Sequence, residues 1–237
     1  MTFRPRPAAG RRTRRELIVA AQCVLFDFDG PLAGLFAHRT AQEVARVLRR
    51  QLADWGLAPA LKDPDNPLQV LRDTAAAYRG TESGHRVAEL NRLLTAEEVC
   101  AAWSAAPTEY AYELVVWLVA RGSRVAVATN NSAEAAYVYL DRMGLAPFFG
   151  RHVHGRPADP GLLKPHPHCL QEALRSTGTR PRDGLMIGDS ADDCSAALAA
   201  GVTFLGYARD ETKRLELEVA GAEHITDSLA HLFEEDR

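Results

Sequence analysis

Residues 24–32 read Val-Leu-Phe-Asp-Phe-Asp-Gly-Pro-Leu, an apolar run that closes on two aspartates one residue apart. The run Cys23–Phe28 is predicted to be a buried strand, with Gly30-Pro31 as the turn that ends it. Asp27 and Asp29 then sit at or just past the carboxyl end of a strand, the edge at which an open parallel sheet binds its ligands. Two carboxylates held close together repel unless a cation or a shared proton compensates. Mg²⁺ is the simplest compensation, because it prefers oxygen ligands and keeps some of its waters.

Further apolar runs, Arg124–Thr129, His152–His154, Leu185–Ile187 and Thr203–Gly206, are predicted strands. Helices are expected over Thr108–Arg121, Ser132–Met143, His166–Ser176 and Ala191–Ala200, with Gly122, Gly144 and Gly201 at helix stops. This alternation implies an α/β fold: a Rossmann-like parallel sheet with helices on both faces. The stretch from Gly34 to Ala106 breaks the rhythm and offers only helical patterns. One face is formed by Leu35, Val44, Val47, Leu48 and Leu52. A second helix follows Asn66-Pro67, and a third carries Val87, Leu90, Leu93 and Leu94. Thr95 and Glu98 are spaced as a capping box for a fourth. An all-helical insertion whose ends both emerge at the ligand-binding edge is expected to be a cap. The expected organisation is a flexible basic arm over 1–18, a core over 19–33 and 107–237, and a cap over 34–106.

Three more sites share the chemistry of the first. Thr129 and Asn130 end a strand, and Ser132 leads into a helix, where a hydroxyl and backbone N–H groups suit phosphate oxygens. Lys164-Pro165 carries one of only three lysines among the chain's 28 basic side chains. A compact ammonium fits between a carboxylate and a phosphate where a planar guanidinium does not. Gly188-Asp189 again ends an apolar strand, and Asp193 follows one helical turn later, so both acids can face one point. Asp192 suits a helix N-terminus, and Gly188 allows a close backbone approach to a ligand. Carboxylates, an ammonium and a hydroxyl in this order describe phosphoryl transfer.

These residues resemble the haloacid dehalogenase superfamily in its phosphatase branch, and specifically the phosphoglycolate phosphatase-like members with a helical first-type cap. The four motifs are Asp27-Phe-Asp29-Gly30, Thr129-Asn130, Lys164-Pro165 and Gly188-Asp189 with Asp193. The resemblance covers about residues 21–207. It implies that Asp27 is a nucleophile forming an aspartyl-phosphate and Asp29 a general acid and base. It implies Mg²⁺ on Asp27, Asp189 and the Asp29 backbone carbonyl, with Asp193 reaching the metal through a water or orienting Lys164. Lys164 and Thr129 then bind the phosphoryl oxygens, with Asn130 beside them. His38 and Arg39 are candidates for substrate contact. Asp29 separates a phosphatase from a dehalogenase, which needs no such acid. Pro31 stands where the family usually has Thr, and it removes both a hydroxyl and a backbone N–H.

The expected substrate is a small phosphorylated metabolite. A phosphomutase is an alternative on the same residues, with Arg72, Arg79, His85 and Arg86 able to grip a second phosphate. A non-catalytic protein on the same fold is an alternative of another class. Net charge is −3, so the chain as a whole makes no electrostatic case for nucleic acid. The exception is local: Arg4, Arg6, Arg11, Arg12, Arg14 and Arg15 precede the first acid, Glu16. No run approaches a membrane span. Cys23, Cys100, Cys169 and Cys194 share no close spacing, which fits buried thiols in a reducing cytoplasm. The sequence leaves oligomeric state open.

Overall fold

The computed structural model describes residues 12–233. The chain runs α1 (Arg14–Ala20), β1 (Cys23–Phe26), β2 (Ala33–Gly34), α2 (Ala41–Asp54), α3 (Pro67–Tyr78), α4 (His85–Ala102) and β3 (Ala106–Pro107). It continues through α5 (Ala111–Ala120), β4 (Arg124–Ala128), α6 (Ala133–Arg142), α7 (Ala146–Phe149), β5 (Val153–His154) and α8 (His168–Thr177). The remaining elements are β6 (Gly184–Gly188), α9 (Ala191–Ala200), β7 (Thr203–Tyr207), α10 (Glu211–Val219) and β8 (Ile225–Thr226).

Six strands form one parallel sheet in the order β5-β4-β1-β6-β7-β8. Strand alternation sends successive side chains to opposite faces, and both faces of this sheet are covered. Val24, Phe26, Val125, Val127, Leu185 and Ile187 pack with Leu114, Leu118, Tyr139 and Phe149 on one side. Cys23, Leu25, Ala126, Ala128 and Met186 pack with Leu170, Ala173 and Ala197 on the other. β1 lies centrally. The chain leaves it outward through β4 to β5 on one flank, then crosses to β6 on the other flank and runs outward through β7 to β8. That divergence opens a crevice at the carboxyl ends of β1, β4 and β6.

Three helices, α2, α3 and α4, occupy the span between β2 and β3, which pair antiparallel as a two-residue ribbon. They bury a separate apolar cluster of Val44, Leu48, Leu52, Val70, Leu71, Leu90 and Leu94. Leu35, expected on the first of these helices, precedes it and joins the sheet core instead. Thr95 and Glu98 do not begin a helix. They lie inside the continuous α4, because Arg156 takes both side chains as partners: Arg156 donates to Thr95 Oγ1 at 3.0 Å and to Glu98 Oε1 at 2.8 Å.

Of the expected arm, residues 1–11 lie outside the described residues. The stretch from Arg14 is helical rather than flexible. Thr13 and Glu16 form a reciprocal capping box, and Ile18 is fully buried. The sheet also has a short edge strand, β8, and a late helix, α10, that the apolar pattern does not announce. Cys100 is exposed, unlike the other three thiols, which are buried.

The Glu98–Arg156 pair ties α4 to the sheet, and both side chains are only 1% exposed. Glu98 also accepts from Asn131 Nδ2 at 3.0 Å and Ser132 N at 2.9 Å, while Arg156 donates to Asn91 Oδ1 at 2.6 Å and to the Asn130 carbonyl at 3.2 Å. Removing one partner leaves the other charge buried and uncompensated. Arg156→Met is therefore expected to destabilise the protein by about 3–5 kcal/mol, as read by urea unfolding.

Candidate active site

Asp27, Asp29 and Asp189 are placed by the ends of strands, and Asp193 by the first turn of α9. The Asp27 N–H still donates to the Ile187 carbonyl at 2.9 Å, so the ladder runs one bond past β1 before the chain turns. Gly30 makes that turn at φ +114°, and an added Cβ would lie 2.6 Å from Asp189 Cγ, so the position requires glycine. Asp29 Oδ1 accepts from the Leu35 N–H at 2.8 Å, which fixes its carboxyl without help from position 31. Thr108, beside β3, donates its hydroxyl to the Gly30 carbonyl at 2.5 Å and so braces the turn from across the ribbon. Pro31 is accommodated in this buried turn.

The side chains of Asp27, Asp189 and Asp193 converge, each offering an oxygen within 4.8 Å of the others. Lys164 lies among them at 2% exposure. Its Nζ donates to Asp27 Oδ1 at 2.9 Å, to the Ala128 carbonyl at 3.1 Å, and to Asp193 Oδ1. Burial alone would push this ammonium down, but Asp193 and Asp27 outweigh it and the net direction is up. The second oxygen of Asp193 accepts from Ser190 N at 3.1 Å and Ser190 Oγ at 2.6 Å. Asp193 thus holds Lys164 while its carboxylate remains part of the converging acidic group. Gly188 serves this contact: a Cβ there would strike Asp193 Cβ at 2.5 Å, so the close approach it permits is to Asp193.

Thr129 is fully buried; its hydroxyl accepts from the Asn131 N–H at 3.1 Å and has Asn131 Oδ1, at 3.2 Å, and the Asp27 carboxylate as alternative acceptors for its single proton. Asn130 faces the backbone of Lys164: Oδ1 accepts from Lys164 N at 2.8 Å, and Nδ2 donates to the Lys164 carbonyl at 3.1 Å. It positions the lysine and has both polar ends occupied. Arg72, on α3, also donates to that carbonyl and pairs with Asp192 at 3.2 Å. Arg79 pairs with Asp159, Arg86 with Glu89, and His85 Nδ1 lies 2.8 Å from the Glu82 carbonyl, so the candidates for a second phosphate have protein partners. Arg39 pairs with Glu97 on α4, and His38 is exposed in the loop before α2.

Three side chains at the site have roles that no local sequence pattern assigns. Glu98, from the insertion, and Arg156, from the loop after β5, clasp the Thr129–Ser132 turn. Lys213, on α10, stands 3.7 Å from Asp189 Oδ2. Its signal was available, because it is another of the three lysines.

The electrostatics are those of a site with surplus buried negative charge. Burial, then Asp193, push the Asp27 carboxyl up to about 6 against the pull of Lys164. Burial pushes Asp189 up to about 7 despite Lys213, with Asp193, Asp27 and Asp29 adding to the rise. Asp29 is likewise raised, chiefly by burial. A hard divalent cation fits this donor set: oxygen ligands, close convergence and uncompensated charge. Asp27 and Asp189 would supply carboxylates. The Asp29 carboxyl lies outside the converging group, so that residue could contribute only its backbone carbonyl.

The sequence of residues 21–201 matches the family model for haloacid dehalogenase-like hydrolases. The chain belongs to that family. It is 32% identical to the phosphoglycolate phosphatase of Rhodospirillum rubrum over 228 residues, 89% of this chain and 89% of that protein. Its match to the phosphoglycolate phosphatase of Nitrosococcus oceani, 30% identical over 120 residues, covers 51% of this chain and 52% of that one, about half the relative's length. Among solved structures, CbbY from Rhodobacter sphaeroides in complex with phosphate superposes with a TM-score of 0.66 at 23% identity, over 90% of this chain and 96% of that chain. At that identity the likeness establishes the fold. Those two curated relatives of the chain are both named phosphatases. No helix among the chain's described residues is long and apolar enough to cross a membrane.

A raised carboxyl pKa fixes the sign of a stability effect. Asp189 ionises near 4 when unfolded and at about 7 when folded, so between those values the folded state holds more protons. Its contribution is fully present below the unfolded value and is lost as pH rises to about 7. In chelator, Asp189→Asn is therefore expected to melt above the parent at pH 8, with the advantage shrinking toward pH 4. Thermal melts across that range check this.

Proposed function

We propose that the protein is a Mg²⁺-dependent phosphatase that hydrolyses a small phosphomonoester through an aspartyl-phosphate on Asp27. The observation that carries this reading is the buried contact of Asp27 with Lys164, beside Asp189, at the carboxyl edge of the sheet. An oxygen of Asp27 attacks phosphorus, forming a new P–O bond while the bond to the leaving oxygen breaks. Asp29 gives its proton to that oxygen. Its raised pKa supports this role, since a carboxyl must hold a proton to act as an acid. Asp29 then takes a proton from the incoming water, whose oxygen displaces Asp27 from phosphorus and releases inorganic phosphate. Both carboxyls return to their starting forms.

Lys164 and Thr129 supply positive charge and a hydroxyl to the phosphoryl oxygens. Asn130, by holding the Lys164 backbone, and Asp193, by holding its ammonium, keep that charge in place. Mg²⁺ on Asp27, Asp189 and the Asp29 carbonyl would add charge stabilisation at the same oxygens. Residues 19–33 and 107–237 serve as the core and 34–106 as a cap that covers the site. The relatives named phosphoglycolate phosphatase support a small phosphorylated acid as substrate. A reducing cytoplasm is the proposed setting, which four free cysteines support.

The purified protein is expected to hydrolyse a generic aryl phosphate with Mg²⁺ and to stop with a chelator. Asp27→Asn should reduce turnover by at least about a thousandfold. Turnover by that variant equal to the parent's would remove Asp27 as nucleophile.

A further inference from the structure

Two of the chain's three lysines meet at the acidic cluster, and they are held differently. Lys164 is 2% exposed and has three acceptors. Lys213 is 23% exposed and stands between two carboxylates, 3.7 Å from Asp189 Oδ2 and 3.3 Å from Glu216 Oε2. The first distance is that of a loose ion pair rather than a hydrogen bond. Glu216 is on the same helix, one turn on, and its side chain is 54% exposed. A flexible four-carbon stem can carry the ammonium from one acid to the other, where a guanidinium fork would lock onto one. Asp189 is also the carboxylate that a divalent cation would need.

We propose that Lys213 is a built-in counter-cation at the metal site: it neutralises Asp189 when no metal is bound and withdraws to Glu216 when Mg²⁺ arrives. This rests on the reading of Asp189 as a metal ligand. Two consequences follow with opposite signs. The ammonium competes with Mg²⁺ for Asp189, so its charge lowers metal affinity. Glu216 gives the displaced ammonium a partner, so its charge raises metal affinity. A merely structural role for either residue would not move metal affinity in these paired directions. Lys213 thereby tunes the metal occupancy of the site and protects the metal-free fold from its own surplus of buried carboxylate.

The test is calorimetric titration of Mg²⁺ into the chelator-stripped full chain, with no substrate present. Lys213→Met is expected to bind Mg²⁺ roughly tenfold more tightly than the parent, and Glu216→Gln roughly threefold more weakly. Lys213→Arg, which keeps the charge, should stay on the parent's side of that gap. In chelator, Lys213→Met should melt below the parent, and Mg²⁺ should raise its melting temperature by more. Equal affinities across these proteins, or weaker binding by Lys213→Met, would overturn the proposal while leaving the metal site standing. Absence of Mg²⁺ binding in the parent and every variant would overturn both. If Lys213→Met fails to fold, Glu216→Gln alters only an exposed side chain and decides the matter alone: binding as tight as the parent's would overturn the proposal.

Discussion

The contact on which the rest depends is the ammonium of Lys164 set between Asp27 and Asp193. A fully buried lysine survives only where opposite charge and hydrogen bonds replace its water. Here that replacement comes from three segments at once: the end of β1, the end of β4 and the first turn of α9. Their spacing is set by the hydrogen-bonded sheet, so the backbone ladder fixes the charge geometry before any side chain chooses a rotamer. The same contact has a chemical side. A carboxylate that would otherwise stay protonated in a buried place is drawn toward its ionised form, the form that can attack an electrophile.

A second layer of contacts holds the backbone behind these charges. Asn130 clasps the Lys164 peptide from both sides, and Arg72 reaches the same carbonyl from the insertion. Glu98 and Arg156 do the equivalent for the turn after Thr129. The inserted helices are thus bonded to the two loops that would grip a phosphoryl group. Substrate-dependent movement of the insertion would be felt at Lys164 and Thr129 through hydrogen bonds already in place.

The parts legible in the sequence were those whose meaning is local. Asp27, Asp29, Thr129 and Asp189 each follow an apolar run, and a strand ending in a polar residue is a pattern a few residues long. The family resemblance added order and roles to those positions. Glu98 and Arg156 could not be read this way, because 58 residues separate them and each looks like an ordinary surface charge on its own. The spacing of Thr95 and Glu98 even mimicked a helix start, a local rule overridden by a distant guanidinium. β8 is two residues long and α10 mostly polar, so neither left an apolar signature. The rarity of lysine pointed to Lys164. It pointed equally to Lys213, but only the fold shows which acid lies beside it.

That rarity makes the side-chain amines a graded set of internal reporters. Lys62 is exposed, Lys213 half-buried and Lys164 sealed. An amine-directed label would meet these three side chains in that order, and each step reports a different event. Labelling at Lys62 follows the surface of the inserted helices, labelling at Lys213 follows release of Asp189, and labelling at Lys164 requires the crevice itself to open. A composition poor in lysine thus turns accessibility at three positions into a readout of the state of the site.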